Sequence, residues 1–283
     1  MIDAHSDTNS NPDALHAELI RIPALDDNYI WLLRNPSSQA IAVIDPGEAE
    51  PVMRWCDDHN ARLTEVINTH HHGDHIAGNA AIIERFGITL TAPATETARI
   101  DNISHMVKEG DHITIAGYSA KVIETPGHTT GHVAFYLPDC FGDHGLLIAG
   151  DTLFSMGCGR VFEGSMQDMW SSLAKLRDLP DDTLVCCGHE YTASNARYVA
   201  QLGWNPPELA TQLAAIAKAT ASQTPTVPFS LGLEKATNPF LNADDAGLAE
   251  ALASHIDGDA PFASHDPVAV FTALRQGKDN FRG

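Results

Sequence analysis

The chain is short of positive charge. It carries 17 Lys and Arg against 37 Asp and Glu over 283 residues, a formal net charge of −20. A phosphate backbone needs a basic surface, so nucleic acid is excluded as a partner. Long uninterrupted apolar runs are also missing, and no segment reads as a transmembrane helix. Cysteine is scarce and odd in number: five in all, with Cys186 and Cys187 adjacent and unsuited to an ordinary bridge. Reduced, buried thiols in a cytoplasmic protein follow. Residues 1–16 hold no Lys or Arg, which excludes a secretory signal and a basic transit peptide. They read as a disordered extension or the product of a misplaced start. There is no internal repeat and no low-complexity tract. Hydrophobic residues make up 43% of the chain, enough for the core of one large or two modest domains.

Histidine is not scarce, and it is concentrated. Residues 69–75 read Thr69-His70-His71-His72-Gly73-Asp74-His75. Imidazole and carboxylate donors of this kind suit zinc, iron or manganese. His70 and His72 are two apart and point the same way in an extended segment, while His71 points away. Asp74 and His75 are adjacent, and their side chains are expected to diverge. The spacing favours two neighbouring metals, one taking His70 and His72, the other Asp74 and His75. A polar His-rich loop without metal is the plainer alternative.

More donors stand at the ends of β-prone runs. Val66-Ile67-Asn68 leads into His70. Lys121-Val122-Ile123-Glu124 leads into Thr125-Pro126-Gly127-His128, with His132 beyond. Leu146-Leu147-Ile148-Ala149 ends in Gly150-Asp151-Thr152, and Val185-Cys186-Cys187 ends in Gly188-His189-Glu190. A single Asp after Gly is usually a turn residue. Four such strand ends together describe loop tips on a sheet scaffold, where sites are built.

In this order, His70-x-His72-x-Asp74-His75, His128, Asp151 and His189 resemble the metallo-β-lactamase superfamily. Within it the chain is similar to the glyoxalase II (hydroxyacylglutathione hydrolase) family. That likeness rests on Ile22-Pro23-Ala24-Leu25-Asp26-Asp27-Asn28-Tyr29, Gly157-Cys158-Gly159-Arg160-Val161-Phe162-Glu163-Gly164, Gly188-His189-Glu190-Tyr191-Thr192, Asn238-Pro239-Phe240-Leu241 and the tail Arg275-x-x-Lys278-Asp279-x-Phe281. The resemblance implies an α+β fold: an αββα sandwich followed by a C-terminal all-helical domain. It implies metal 1 on His70, His72 and His128, metal 2 on Asp74, His75 and His189, and Asp151 bridging both. Zinc is the first expectation for the two divalent ions, with iron or manganese as alternatives. Asp74 and Asp151 add negative charge and orientation. His132 is expected behind the ligands, and Cys158 is not expected to act as a nucleophile.

The chain divides near residue 190 into a metal domain (17–190) and a helical substrate domain (191–283). Helix signals cover 75–86 and 167–177, then 206–222, 244–256 and 266–278, where Asp266-Pro267 reads as a cap with proline in the first turn. Residues 224–242 read as an irregular loop. Arg275 and Lys278, three apart, share a helix face. Cations in a last turn complement the helix dipole whatever else they do. The resemblance gives them a second role, gripping the glycine carboxylate of glutathione with help from Arg160. It gives Tyr191 a hydrogen bond to the peptide part. Phe162 stands where relatives often have tyrosine, and Asn242 where they usually have arginine.

The expected reaction is hydrolysis of S-2-hydroxyacylglutathione thioesters such as S-D-lactoylglutathione, a step of methylglyoxal detoxification, by a monomer. Two divalent metals about 3.5–4 Å apart share a bridging hydroxide that attacks the carbonyl. A mononuclear-iron sulfur dioxygenase would not need the second ligand set, and a lactonase or β-lactamase would lack the Arg275-x-x-Lys278 tail. A non-enzymatic metal-binding module would need neither a bridging Asp nor a substrate lid.

Overall fold

The computed structural model describes residues 16–142, 144–254 and 266–282. The extension expected over the first fifteen residues and the end of the helix expected to reach 256 lie outside them.

The first sheet is laid down in chain order. Strands β1 (Glu18–Ala24), β2 (Asn28–Arg34), β3 (Ile41–Ile44), β4 (Glu65–Ile67), β5 (Thr89–Pro93) and β6 (His105–Val107) pair each with the next. β1 to β3 are antiparallel, and β3 to β6 are parallel. Parallel neighbours need crossovers. Helix α1 (Ala49–Asp58) supplies one, and α2 (Gly73–Ile76) with α3 (Asn79–Phe86) supplies the next. The side chains of β2 alternate as a strand requires. Tyr29, Trp31 and Leu33 belong to the large core with Ile67, Phe135 and Leu147. Ile30 and Leu32 join a second cluster with Val52, Ile82 and Phe86 from α1 and α3.

The second sheet takes β7 (His112–Ile115), β8 (Tyr118–Glu124), β9 (Val133–Phe141) and β10 (His144–Gly150) as an antiparallel meander. After β10 comes a small separate hairpin, β11 (Leu153–Phe154) and β12 (Gly157–Cys158), and then α4 (Met166–Arg177). Strand β13 (Leu184–Cys187) returns parallel to β10. The inner faces of both sheets share the large core, and α4 adds Met169, Trp170, Leu173 and Leu176 to it. Two sheets face to face with helices outside make an αββα sandwich.

Beyond residue 190 the chain runs through α5 (Thr192–Val199), α6 (Leu209–Ala221), β14 (Phe229–Ser230), α7 (Leu231–Thr237), a 3-10 turn (Pro239–Leu241), α8 (Ala246–Ser254) and α9 (Pro267–Asn280). The side chain of Asp266 caps α9, accepting from Val268 N (3.0 Å) and Ala269 N (3.3 Å).

Three expectations need correction. The helix expected over 75–86 is two helices. Gly78 breaks it: its N–H donates to Pro46 O at 2.8 Å, and a Cβ there would stand 2.6 Å from the same oxygen. Residues 224–242 are not an irregular loop. Ser230 ends β14 and caps α7, and Asn238 caps the 3-10 turn through Phe240 N at 3.0 Å. The chain after 190 is therefore mainly helical but not wholly so, since β14 pairs antiparallel with β13. Finally, α5 was not anticipated. It starts directly after His189-Glu190-Tyr191, with no side-chain cap to mark it.

Candidate metal centre

The strand ends gather at one end of the sandwich. Two contacts sew the sheets together there: Tyr29 N donates to Gly188 O (2.7 Å) and Glu190 N to Asp27 O (2.9 Å). Between them lie two groups of donors. The ligand atoms of His70, His72 and His128 fall within 4.8 Å of one another, and so do those of Asp74, His75 and His189. In the first group, His72 Nδ1 is 3.1 Å from His70 Nε2 and 3.0 Å from His128 Nε2.

Asp151 stands between the groups. Its Oδ2 is 3.4 Å from His128 Nε2 and 3.3 Å from His189 Nε2, and its Oδ1 is 3.5 Å from His75 Nε2. The adjacent pair Asp74 and His75 does not diverge as expected. The first turn of α2 brings Asp74 Oδ2 to 3.5 Å from His75 Nε2 and 3.3 Å from His189 Nε2.

Side chains behind the donors orient them, an arrangement common around bound metals. Asp45 Oδ2 takes His75 Nδ1 at 3.1 Å, Asp27 Oδ1 takes His189 Nδ1 at 2.8 Å, and Arg160 O takes His128 Nδ1 at 2.9 Å. Thr69 Oγ1 lies 3.0 Å from His70 Nδ1 and donates to Asp45 Oδ2 at 2.7 Å. Asn28 donates to Asp74 Oδ2 at 3.0 Å. Asp45 also lies within reach of His70 and His75 as a third possible cluster. Its oxygens are occupied by Thr69 N (2.8 Å), Thr69 Oγ1 and His75 Nδ1, so it holds ligands instead of being one. His132 sits underneath, accepting from Asp151 N at 3.0 Å. His71 faces away, with Nδ1 3.0 Å from the buried Glu96.

These residues fit divalent cations. His75 Nε2 and Asp151 Oδ1 are buried with no hydrogen-bond partner, and both face the gap between the groups. Buried polar atoms are rarely left this way without a purpose. The set is imidazole and carboxylate with no thiolate, as zinc, iron or manganese prefer. The electrostatics agree. The hydrogen bond from His189 holds Asp74 well below the usual carboxylate range. Burial opposes charge on His189, yet Asp151 and Asp74 outweigh it and raise the imidazole to about 10. The Asp74, His75 and His189 side attracts cationic charge, whereas burial lowers His70, His72 and His128 and keeps their imidazoles neutral, as metal ligands must be.

A cavity of about 460 Å³ opens over the centre. Tyr191 stacks on His189, with ring centres 4.7 Å apart and planes 6° off parallel. Phe162 sets its edge against His72 and His128, at 5.9 and 5.3 Å, and is 62% exposed. Arg160, Arg275 and Lys278 line the far wall. Lys278 Nζ donates to Ser194 Oγ at 2.7 Å, and burial with Arg275, Arg197 and Arg160 nearby lowers its pKa to about 8. Arg275 is only 3% exposed. Its guanidinium donates to Cys158 O at 2.8 Å and lies 3.1 Å from Asp279, so it backs the wall more than it faces the cavity. Cys158 is buried and its thiol is pushed up to about 11, which removes it as a nucleophile.

Sequence reasoning missed Asp45, Asp27 and Asn28. Asp27 and Asn28 lie within a quoted motif, but nothing in the pattern marks their roles. Asp45 ends an apolar strand as Asp151 does, which was the available signal.

Fold and centre together define a metallohydrolase-type sandwich, and the metallo-beta-lactamase superfamily model matches residues 25–189. A second model, the hydroxyacylglutathione hydrolase C-terminus, matches residues 190–281. The curated hydroxyacylglutathione hydrolase of Cereibacter sphaeroides (strain ATCC 17025 / ATH 2.4.3) is 44% identical over 93% of this chain and 99% of its own. This chain therefore belongs to the metallo-beta-lactamase superfamily and, within it, to the hydroxyacylglutathione hydrolase family. Solved structures share the fold. A metallo-beta-lactamase from Staphylococcus aureus subsp. aureus COL aligns with TM-score 0.61 at 20% identity, over 92% of this chain and 70% of that one. TTHA1623 in a di-iron-bound form aligns with TM-score 0.53 at 23% identity, over 79% and 99%.

Proposed function

We propose that this chain hydrolyses S-2-hydroxyacylglutathione thioesters, S-D-lactoylglutathione first among them, to glutathione and D-lactate in methylglyoxal detoxification. The observation that carries this reading is the meeting of two donor groups across Asp151 beneath one cavity whose far wall is cationic. The relatives named hydroxyacylglutathione hydrolase support the substrate class. In this reading His70, His72 and His128 would hold one divalent metal, Asp74, His75 and His189 would hold the other, and Asp151, between the two groups, would serve both. Zinc suits these donors best, and iron or manganese would also fit. When bound, the metals supply Lewis acidity, acidifying a water and polarising the thioester carbonyl.

The chain's own residues do the rest. Lys278 and Arg160 attract the carboxylates of the glutathione moiety, and Arg275 stiffens the wall behind them. Burial pushes the Tyr191 hydroxyl above its ordinary value, so it stays protonated and can donate to the peptide part. Phe162 shields the His72–His128 side from bulk water. The water oxygen bonds to the thioester carbon, the C–S bond then breaks with its electron pair leaving on sulfur, and the proton lost by the water passes to the departing thiolate or to solvent. A thiol is acidic enough that the leaving group needs no dedicated proton donor. Asp74 and Asp151 keep the ligand imidazoles oriented through the step. The enzyme acts as a monomer in a reducing cytoplasm, consistent with five free, buried cysteines. Among the described residues no helix is long and apolar enough to cross a membrane.

The test is turnover of S-D-lactoylglutathione with metal analysis of the same sample. Thioester hydrolysis with two metals per chain is expected. Hydrolysis of a β-lactam or a lactone without thioester turnover would replace this reading.

A further inference from the structure

The hairpin β11–β12 joins the metal centre to the chain beyond residue 190. Asp151 precedes it and Arg160 follows it. Side chains from the helical region hold its backbone from end to end. Asn238 donates to Phe154 O (3.1 Å) and Gly157 O (3.0 Å), Asn195 to Ser155 O (3.1 Å), and Arg275 to Cys158 O (2.8 Å). Glu234, in α7, accepts from Ser155 Oγ (2.8 Å) and Met156 N (2.7 Å). Met156 turns the hairpin at φ +59°, a left-handed conformation that is costly for a residue with a side chain. Its side chain is fully buried with Ala196, Val199, Leu209 and Ile216 of α5 and α6.

Glu234 is the unusual member of this set. It is wholly buried, and among the described residues no cation pairs with it. Ser155, Met156 N–H and Asn238 face it, and the Cys187 thiol of β13 is the titratable group that feels its charge. A lone buried carboxyl is destabilising in itself. What it secures is the strained turn. Past that turn, Gly159 packs on Asp151 so closely that a Cβ would stand 1.9 Å from the Asp151 carbonyl oxygen. Arg160 O then takes the Nδ1 hydrogen of His128.

We propose that Glu234 is a positioning residue for the metal centre. Its carboxylate locks the Met156 turn, and the turn sets the backbone of Asp151 and the ring of His128. This rests on the reading of Asp151 and His128 as ligands. It adds a coupling: the helix that carries Arg275 and Lys278 and the carboxylate read as the bridge between the donor groups are anchored to one hairpin.

The experiment compares zinc affinity, by chelator competition, with kcat and KM on S-D-lactoylglutathione for the full chain and four variants. Glu234→Ala should bind zinc about tenfold more weakly or worse and lose about tenfold in kcat, with KM little changed. Glu234→Gln keeps an acceptor for Met156 N–H and a donor for Ser155 Oγ, and should restore zinc affinity nearly to wild type. Ser155→Ala keeps the carboxylate but removes one bond, and should weaken zinc in the same direction by less. Leu248→Ala, buried in α8 and making none of the hydrogen bonds to the hairpin, should lower Tm and leave zinc affinity and kcat alone. Wild-type zinc affinity in both Glu234→Ala and Ser155→Ala would overturn the proposal, as would an equal loss in Leu248→Ala. If Glu234→Ala does not fold, Ser155→Ala and Glu234→Gln decide it on the same readout. Zinc binding without thioester turnover in the wild type would sink the functional reading and leave this test standing.

Discussion

Asp151 is the residue on which both donor groups depend, since its two oxygens reach His75, His128 and His189. Asp151→Ala should take the metal content from two per chain to none. A drop to one would mean that it serves a single ion. Glu234 offers a second measurement. Burial raises its folded pKa from 4.5 to about 7. Between those values the folded state binds the proton more tightly than the unfolded state does. Stability therefore falls as pH rises through that window, and the loss is complete above it. Glu234→Gln lacks that proton, so its stability relative to wild type should grow between pH 4 and 8, by up to roughly 3 kcal/mol. Denaturant midpoints that keep a constant gap across this range would count against a buried, titrating carboxyl. At this scale the sequence was uneven to read. The donors that meet in the centre were legible because histidines crowd into 69–75 and donors close apolar runs. Asp27, Asp45 and Glu234 were not, because one carboxylate in ordinary surroundings has no pattern. What sets them apart is a neighbour 24 to 162 residues away in the chain.

Among the elements, the turn before His128 and the last helix make the sharpest cases. Gly127 has φ +148°, and a Cβ there would lie 2.7 Å from Met169 Cβ and 2.8 Å from Met169 Cα, at the start of α4. Neither side can yield without moving backbone. Gly127→Ala should cost more than about 1 kcal/mol of stability and should weaken zinc through His128, as melting and chelator competition would reveal. On α9, Lys278 should lose its charge above pH 8, the range to which its pKa falls. KM for the anionic thioester should then rise with pH in the wild type. Lys278→Ala should begin about fivefold higher in KM, with kcat little changed, and stay flat. Identical KM profiles would leave Lys278 as a helix-end complement only. The long periodic helices and their proline and aspartate signals were readable in advance. β14 and α7 were not, since Pro225, Pro228 and Pro239 punctuate a stretch whose strand is two residues long. Pairing with β13 makes that strand, and no local propensity announces it.

For the molecule as a whole, the question is how a chain of net charge −20 holds an anionic substrate. Its cations are few, and Arg160 and Lys278 line one wall with Arg275 buried behind them. Their attraction should be screened by salt, so KM for S-D-lactoylglutathione should climb with ionic strength while an uncharged thioester shows little change. Equal responses would mean that the wall does not act through charge. Chain order and strand-end donors hinted at sheets with a site at one end. The sandwich itself came from family resemblance, because alternation within β2 says that two faces are buried but not what covers each.

The two-residue strand β14 has a consequence for any attempt to work with the metal-binding half alone. It covers the outer side of β13, so a protein ending near residue 190 would bare the unpaired backbone of Leu184 and Val185. It would also strip the helices from around Met156. Such a fragment presents the open edge of β13 at Leu184 and Val185 to its own copies, and open strand borders of that sort recruit one another. Expressed without its helices, the metal-binding half should gather into insoluble assemblies, and a charged residue in place of Val185 would not rescue it, because that side chain belongs to the interior.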